Sequence, residues 1–297
     1  MKYVITGGAG HISKPIAEKL LAAGHLVTVI GRNAANLKEL TDKGATAAIG
    51  SVDDVKFLAE TFESANAVYT MVPPNFAATD WKGWIGQAGA NYAQAIKNAG
   101  VKYVVNLSSI GAHLPDGVGP VSGLYRVEQV LNALKDVNVK HLRPSYFFNN
   151  LLANTGMVKH MNIIGSNFGG ENFKLILTDT NDIAEAAAEE LLNLNFTAHS
   201  VRYIASDERD VNEVAKVLGT AVGKPELPWV VFSNEQAYEG MVQAGLPPEI
   251  AKNYEEMGNA SHTGKMAEDY WKNHPAKLGK TKLEDFAKTF AAVYNAN

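Results

Sequence analysis

Met1-Lys2-Tyr3-Val4-Ile5-Thr6-Gly7-Gly8-Ala9-Gly10-His11-Ile12-Ser13 is the stretch on which the reading of this chain turns. Its β-branched and aromatic start predicts a strand. Glycines follow at once, and residues 14–23 have the composition of a helix. A strand, a glycine turn and a helix N-terminus in that order form the phosphate-binding opening of a dinucleotide fold. Glycine permits positive φ and lets backbone approach a diphosphate closely. The free amides and positive dipole end of the helix then face the anion. Gly7 and Gly10 have the spacing G-x-x-G, and Ser13 stands where a third glycine would complete the pattern. Serine is small enough for close helix–strand packing. The alternative is a glycine turn that binds nothing; a strand directly before it argues for the ligand.

Strand and helix alternate outward from this opening. Apolar runs at 27–30, 45–49, 67–72, 101–107 and 139–143 predict strands. Helical spacing fills 33–43, 81–98 and 122–135, and Asp53 is placed to cap a helix carrying Val55, Phe57, Leu58 and Phe62. Continuous apolar strands between helices imply a parallel sheet covered on both faces. Past residue 150 the alternation breaks into glycine- and asparagine-rich loops, then into helices. The expected fold is therefore α/β: a Rossmann-type doubly wound parallel sheet with a smaller, mostly helical C-terminal substrate domain. Residues 1–150 form the nucleotide-binding part and 151–297 the smaller part, with 180–206 returning to the first.

Composition narrows the function classes. The 297 residues carry a net charge of -4 and contain no cysteine. Disulfides, thiolate nucleophiles and zinc–thiolate sites are excluded. No two of the eight histidines have the i, i+4 spacing of a metal-binding helix, so no metal is expected. No basic block stands out, so nucleic-acid binding by this chain alone is not expected. No apolar run approaches ~20 residues, the length of a membrane span. The first strand begins at once, leaving no room for a signal peptide, and a cytoplasmic protein is expected. The expected state is a monomer or homodimer.

The second strand should end at Gly31-Arg32-Asn33. NAD-preferring folds put a carboxylate there for the ribose 2′-OH. None is present. Arg32 can instead pair with a 2′-phosphate and stack on adenine, which favours NADP(H). The alternative is an arginine solvated at a strand end.

The segments TGGAGHIS (6–13), VIGRNAANLKEL (29–40), YVVNLSSIGAH (103–113), VEQVL (127–131) and HLRPSYFFNNLL (141–152) together resemble the NmrA-like group of atypical short-chain dehydrogenases/reductases. So do VNEVAKVLGTAVGKP (211–225), VVFSNEQAYEGMVQAGLPPEIA (230–251) and KLGKTKLEDFAKTFAAVY (277–294). Each motif is loose, but their order and spacing run almost end to end. The group includes NAD(P)H-dependent quinone, dye and azo reductases, and regulators that bind NAD(P) without turnover. The resemblance implies that Gly7, Gly10, His11 and Ile12 line the pyrophosphate and that Arg32 meets the 2′-phosphate. It places Met71, Val72 and Pro73 beside the adenosine and nicotinamide ribose. Ser108 falls near the nicotinamide, with Pro144 and Ser145 closing over it. Ser108 could equally be a serine bonding turn backbone.

The usual proton-transfer dyad of short-chain dehydrogenases pairs a tyrosine with a lysine four residues on. Here Tyr125 is followed by Gln129. In a second frame Glu128 matches a recurrent acidic position of the group, but Leu124 stands four residues before it. Neither frame contains a cation. Hydride transfer can proceed without the dyad if the protein orients nicotinamide and acceptor. Tyr125, Tyr146 and His113 are the candidate proton donors, each with packing or exposure as the alternative role. Phe147 and Phe148 either wall an aromatic acceptor or belong to the core. Two functions stay open. One is an NADPH-dependent reductase passing hydride to a quinone-like or other conjugated acceptor. The other is a catalytically silent NADP(H)-binding redox sensor with a protein partner.

Overall fold

The computed structural model describes residues 1–296. The first half runs β1 (Lys2–Ile5), α1 (Ser13–Ala22), β2 (Leu26–Gly31), α2 (Ala34–Asp42), β3 (Thr46–Ile49), α3 (Val55–Phe62), β4 (Ala67–Thr70), α4 (Trp81–Ala99), β5 (Tyr103–Leu107), α5 (Val121–Asn132) and β6 (Asn138–Pro144). The second half runs β7 (Tyr146–Phe147), α6 (Thr155–His160), β8 (Ile164–Ser166), β9 (Lys174–Thr178), α7 (Thr180–Asn193), β10 (His199–Ile204), β11 (Asp207–Asp210), α8 (Val211–Ala221) and β12 (Trp229–Val231). It closes with α9 (Asn234–Gln243), α10 (Pro248–His262), α11 (Glu268–Lys272) and α12 (Leu283–Ala296).

The main sheet has seven strands in the order β10-β6-β5-β4-β1-β2-β3. All its pairings are parallel. The order reverses between β1 and β4, and an open α/β sheet binds ligands outside the strand ends at such a switch point. Side chains alternate across the sheet. Tyr3, Ile5, Ala67 and Tyr69 face α1 and α7, where they meet Ile16, Leu20, Ile183 and Leu191. Val4 and Val68 face the other way, toward Leu58, Ile85, Tyr92 and Val127. A third core fills the C-terminal half around Phe148, Leu151, Leu218, Phe286 and Phe290. Phe148 is thus core, stacked on Phe286 at 5.2 Å. Phe147 is half-buried and packs on the α1–α7 side.

Short polar side chains start the helices. Asn33, Asp80, Asp179 and Asp210 each accept a backbone N–H of the helix that follows. One expectation is corrected here. Asp54, not Asp53, caps α3, accepting from Phe57 N at 3.0 Å. Asp53 instead accepts from the Ser51 hydroxyl.

A buried polar string crosses the α5 face of the sheet. The Thr70 hydroxyl donates to Asn106 Oδ1 at 2.9 Å. The Asn106 amide reaches His141 Nδ1 at 3.1 Å, and His141 Nε2 reaches Asn132 Oδ1 at 2.9 Å. With Asn106 donating, the ring is neutral and carries its proton on Nε2. Burial pushes the His141 pKa down to about 4. In the unfolded chain the ring takes a proton near 6.5, so stability is full above that pH and drains as pH falls toward 4. The expected loss from this ring is on the order of 3 kcal/mol. An NMR titration of His141 checks it: a midpoint near the ordinary histidine value would remove the effect.

Candidate functional site

The turn between β1 and α1 has the geometry of an anion cradle. Gly7 and Gly8 have φ of +85° and +56°, which side chains rarely adopt. A Cβ on Gly7 would lie 2.6 Å from the Ser13 hydroxyl and 2.9 Å from Met71 Sδ. A Cβ on Gly10 would lie 3.2 Å from the Gly7 carbonyl oxygen. Ser13, at the third position of the glycine pattern, is buried and donates to the Thr6 carbonyl at 2.8 Å. Its hydroxyl therefore ties the helix to the strand end. No side chain caps α1; the Gly10 and Lys14 amides donate to the Gly7 and Gly10 carbonyls at 3.2 and 3.0 Å, and those of His11 and Ile12 have no partner among the described residues. His11 is exposed at this end and Ile12 is buried beneath it.

Met71, Val72 and Pro73 follow β4 immediately, on the other side of the switch point, and all three are half-buried. Met71 is held from both sides. Its N–H donates to the Thr6 hydroxyl at 2.9 Å, and its carbonyl accepts from the Tyr92 hydroxyl at 2.7 Å. Arg32 directly follows β2. It is exposed and has no carboxylate partner among the described residues. A tight glycine turn and an uncapped helix start suit an anionic ligand, and the Arg32 guanidinium stands unpaired at the second strand end.

Beyond β5 and β6 lies a dense ionic knot. Ser108 is buried, and its hydroxyl donates to Glu128 Oε1 at 2.5 Å. Arg143 grips the same carboxylate with two nitrogens, at 3.0 and 2.6 Å. Its remaining nitrogen reaches the Tyr203 hydroxyl at 2.9 Å and Asp269 at 3.2 Å. Tyr203 also donates to Asp269. Burial works against the Arg143 charge, but its hydrogen bonds to Glu128 outweigh that and raise its pKa. The two dyad frames still hold Leu124 and Gln129; the cation that pairs with Glu128 comes from β6, fifteen residues along the chain.

Ser145, after Pro144, is buried. Thr178 gives its hydroxyl proton to the Ile204 carbonyl at 2.9 Å. The 2.6 Å contact between Ser145 Oγ and Thr178 Oγ1 is then donated by Ser145. The hydroxyl protons of Ser108 and Ser145 are therefore both committed inside the protein. Toward the cleft each can only accept.

The three donor candidates sit in different places. Tyr125 is half-buried on α5 and outside the ionic knot. His113 lies in the β5–α5 loop with both ring nitrogens buried and unpartnered. Burial lowers its pKa, against the pull of Asp269. Tyr146 is half-buried on β7, two residues past Pro144, and burial raises its pKa, with Tyr254 adding to the rise. Among the described residues no cluster of three metal-ligating side chains occurs, and no helix is long and apolar enough to cross a membrane.

The NmrA-like family model matches residues 2–287. The chain belongs to the NmrA-like family. A curated relative, the NAD(P)H azoreductase of Xenophilus azovorans, is 24% identical over 297 residues, covering 99% of each chain. Among solved structures, the triphenylmethane reductase of Citrobacter sp. complexed with NADP(H) superposes with a TM-score of 0.80 at 20% identity. It covers 98% of this chain and 100% of that one. An NADPH-dependent quinone oxidoreductase from Escherichia coli gives 0.79 at 20% identity, covering 97% and 98%. At such identities the likeness concerns the fold. In this NmrA-like chain the sequence did not disclose Arg143 as the partner of Glu128. β6 also carries Lys140 and His141, so its sequence did not single out Arg143; the burial of Arg143 in the folded strand does.

Proposed function

We propose that this protein is an NADPH-dependent reductase that passes hydride to a quinone-like or other conjugated small-molecule acceptor. The observation that carries the coenzyme half is the uncapped glycine turn with unpaired Arg32 beyond β2. The names of the relatives, which act on azo compounds, quinones or triphenylmethane dyes, support the acceptor half. In this reading Gly7, Gly10, His11 and Ile12 line the diphosphate, the His11 and Ile12 amides being the ones without a protein partner, and Arg32 receives the 2′-phosphate. Met71, Val72 and Pro73 lie along the adenosine and nicotinamide ribose. Ser108, its proton committed to Glu128, accepts a hydrogen bond at the nicotinamide end, and Pro144 and Ser145 close over that end. The bound nicotinamide supplies the hydride. The ionic knot holds Ser108 in place and itself offers no free proton, because Arg143 stays charged.

Following NADPH at 340 nm with a panel of quinones, dyes and aldehydes tests the reading. Consumption should depend on a quinone or dye and be weak with simple aldehydes, since neither dyad frame holds a lysine. Calorimetric binding of NADPH without turnover on any acceptor would favour the redox sensor. No binding of either coenzyme would end both readings.

A further inference from the structure

Helix α10 crosses the C-terminal edge of the main sheet and is fastened on both sides. Toward the first half, Glu249 accepts the Trp81 N–H at 3.0 Å and Glu256 pairs with Lys82 at 2.5 Å. The Asn253 carbonyl lies so close to Gly119 that a Cβ there would sit 2.1 Å from it. Toward the second half, the Glu255 carbonyl accepts from Asn167 at 2.8 Å, and His262 meets the Gly169 carbonyl at 3.1 Å. Tyr254 stands between these fastenings, its ring edge-on to Trp81 at 5.4 Å.

The Asn167 anchor brings Tyr254 to a second phenol. Phe168, the next residue, packs edge-on against Tyr146 at 5.7 Å. Tyr146 is itself placed by β7, directly after Pro144 and Ser145. Both tyrosines are half-buried. Neither hydroxyl is bonded to any described residue, and neither is among the sealed, unpartnered polar atoms. Two phenol hydroxyls without protein partners therefore lie on neighbouring elements, Tyr254 near enough to act on the charge of Tyr146, and Tyr146 directly follows the residues assigned to the nicotinamide end. Burial raises the pKa of each, so both keep their protons and stand as donors.

We propose that Tyr146 and Tyr254 form a two-hydroxyl clamp that binds the carbonyl oxygen of the acceptor, a role that rests on the reductase reading above. An oxygen with two lone pairs takes one hydrogen bond from each phenol. The rings of Trp81 and Phe168 extend the apolar wall on either side. The clamp favours an acceptor whose conjugated ring carries an oxygen over the same ring without one, because an unfilled pair of buried donors disfavours the bare hydrocarbon.

The test uses the full chain with oxidised NADP, so that no hydride is available. Menadione and 2-methylnaphthalene, the same ring system with and without oxygens, are titrated by calorimetry. Tyr146→Phe and Tyr254→Phe keep the rings and the packing. Each should weaken menadione binding about five- to tenfold, the worth of one hydrogen bond, and leave 2-methylnaphthalene binding equal or tighter. The clamp is refuted if either substitution weakens both probes equally, if neither substitution matters, or if menadione does not bind a protein that binds the coenzyme. Failure to bind the coenzyme at all refutes the reductase reading instead.

Discussion

Arg143→Met is expected to lower the unfolding free energy by about 3–5 kcal/mol, the cost of leaving a buried carboxylate without its cation. The side chains of Arg143 and Glu128 are 8% and 3% exposed, so water cannot replace the lost partner. Glu128 would keep only the hydrogen bond from the neutral Ser108 hydroxyl and lose two from the guanidinium. The double variant Glu128→Leu/Arg143→Met removes both charges. It should recover most of the loss, because two well-packed apolar groups can match a buried ion pair. Urea unfolding of the single and double variants measures this. Equal destabilisation in both would mean that packing around Arg143, not its charge, holds the region. The same single variant should also loosen α11, since Arg143 reaches Asp269 there.

Arg32→Glu is expected to weaken NADPH binding by roughly two orders of magnitude, about 3 kcal/mol, as a charge-assisted contact with the 2′-phosphate gives way to repulsion. NADH binding should hold or improve, since a carboxylate at a second strand end is what a ribose 2′-OH prefers. Arg32 is exposed and makes no ion pair among the described residues, so the substitution should leave unfolding midpoints nearly unchanged. Calorimetry with both coenzymes decides the matter. An unaltered NADPH affinity would make Arg32 a solvated residue and withdraw the NADP preference.

The doubly wound sheet was legible because its signals are local. A strand, a glycine turn and a helix lie within the first two dozen residues, and each later strand is a continuous apolar run between helical periods. The small residue at Ser13 was read correctly as compatible with close packing, although its hydrogen bond to Thr6 depends on the folded turn. What escaped was long-range. Nothing near Glu128 in the chain announces Arg143, and nothing near Tyr146 announces Tyr254. In each case the two residues sit on different elements, and only the crossing of those elements brings them together. The cap of α3 was missed by one position for a related reason. Asp53 and Asp54 are alike in composition, and only backbone direction selects the one that reaches Phe57 N.

Strand β10 carries a practical consequence for anyone recombining this chain with a relative. β10 lies along β6 from Val139 to Pro144, yet it is encoded after most of the small sheets' strands. Helix α7, just before it, backs onto α1 and β1, and the hydroxyl of Tyr3 on β1 donates to its Leu191 carbonyl. A chimera joined near residue 150 would import a foreign flank into the host's nucleotide-binding layer. An exchange of acceptor preference alone must therefore leave 180–206 with the host and graft around it.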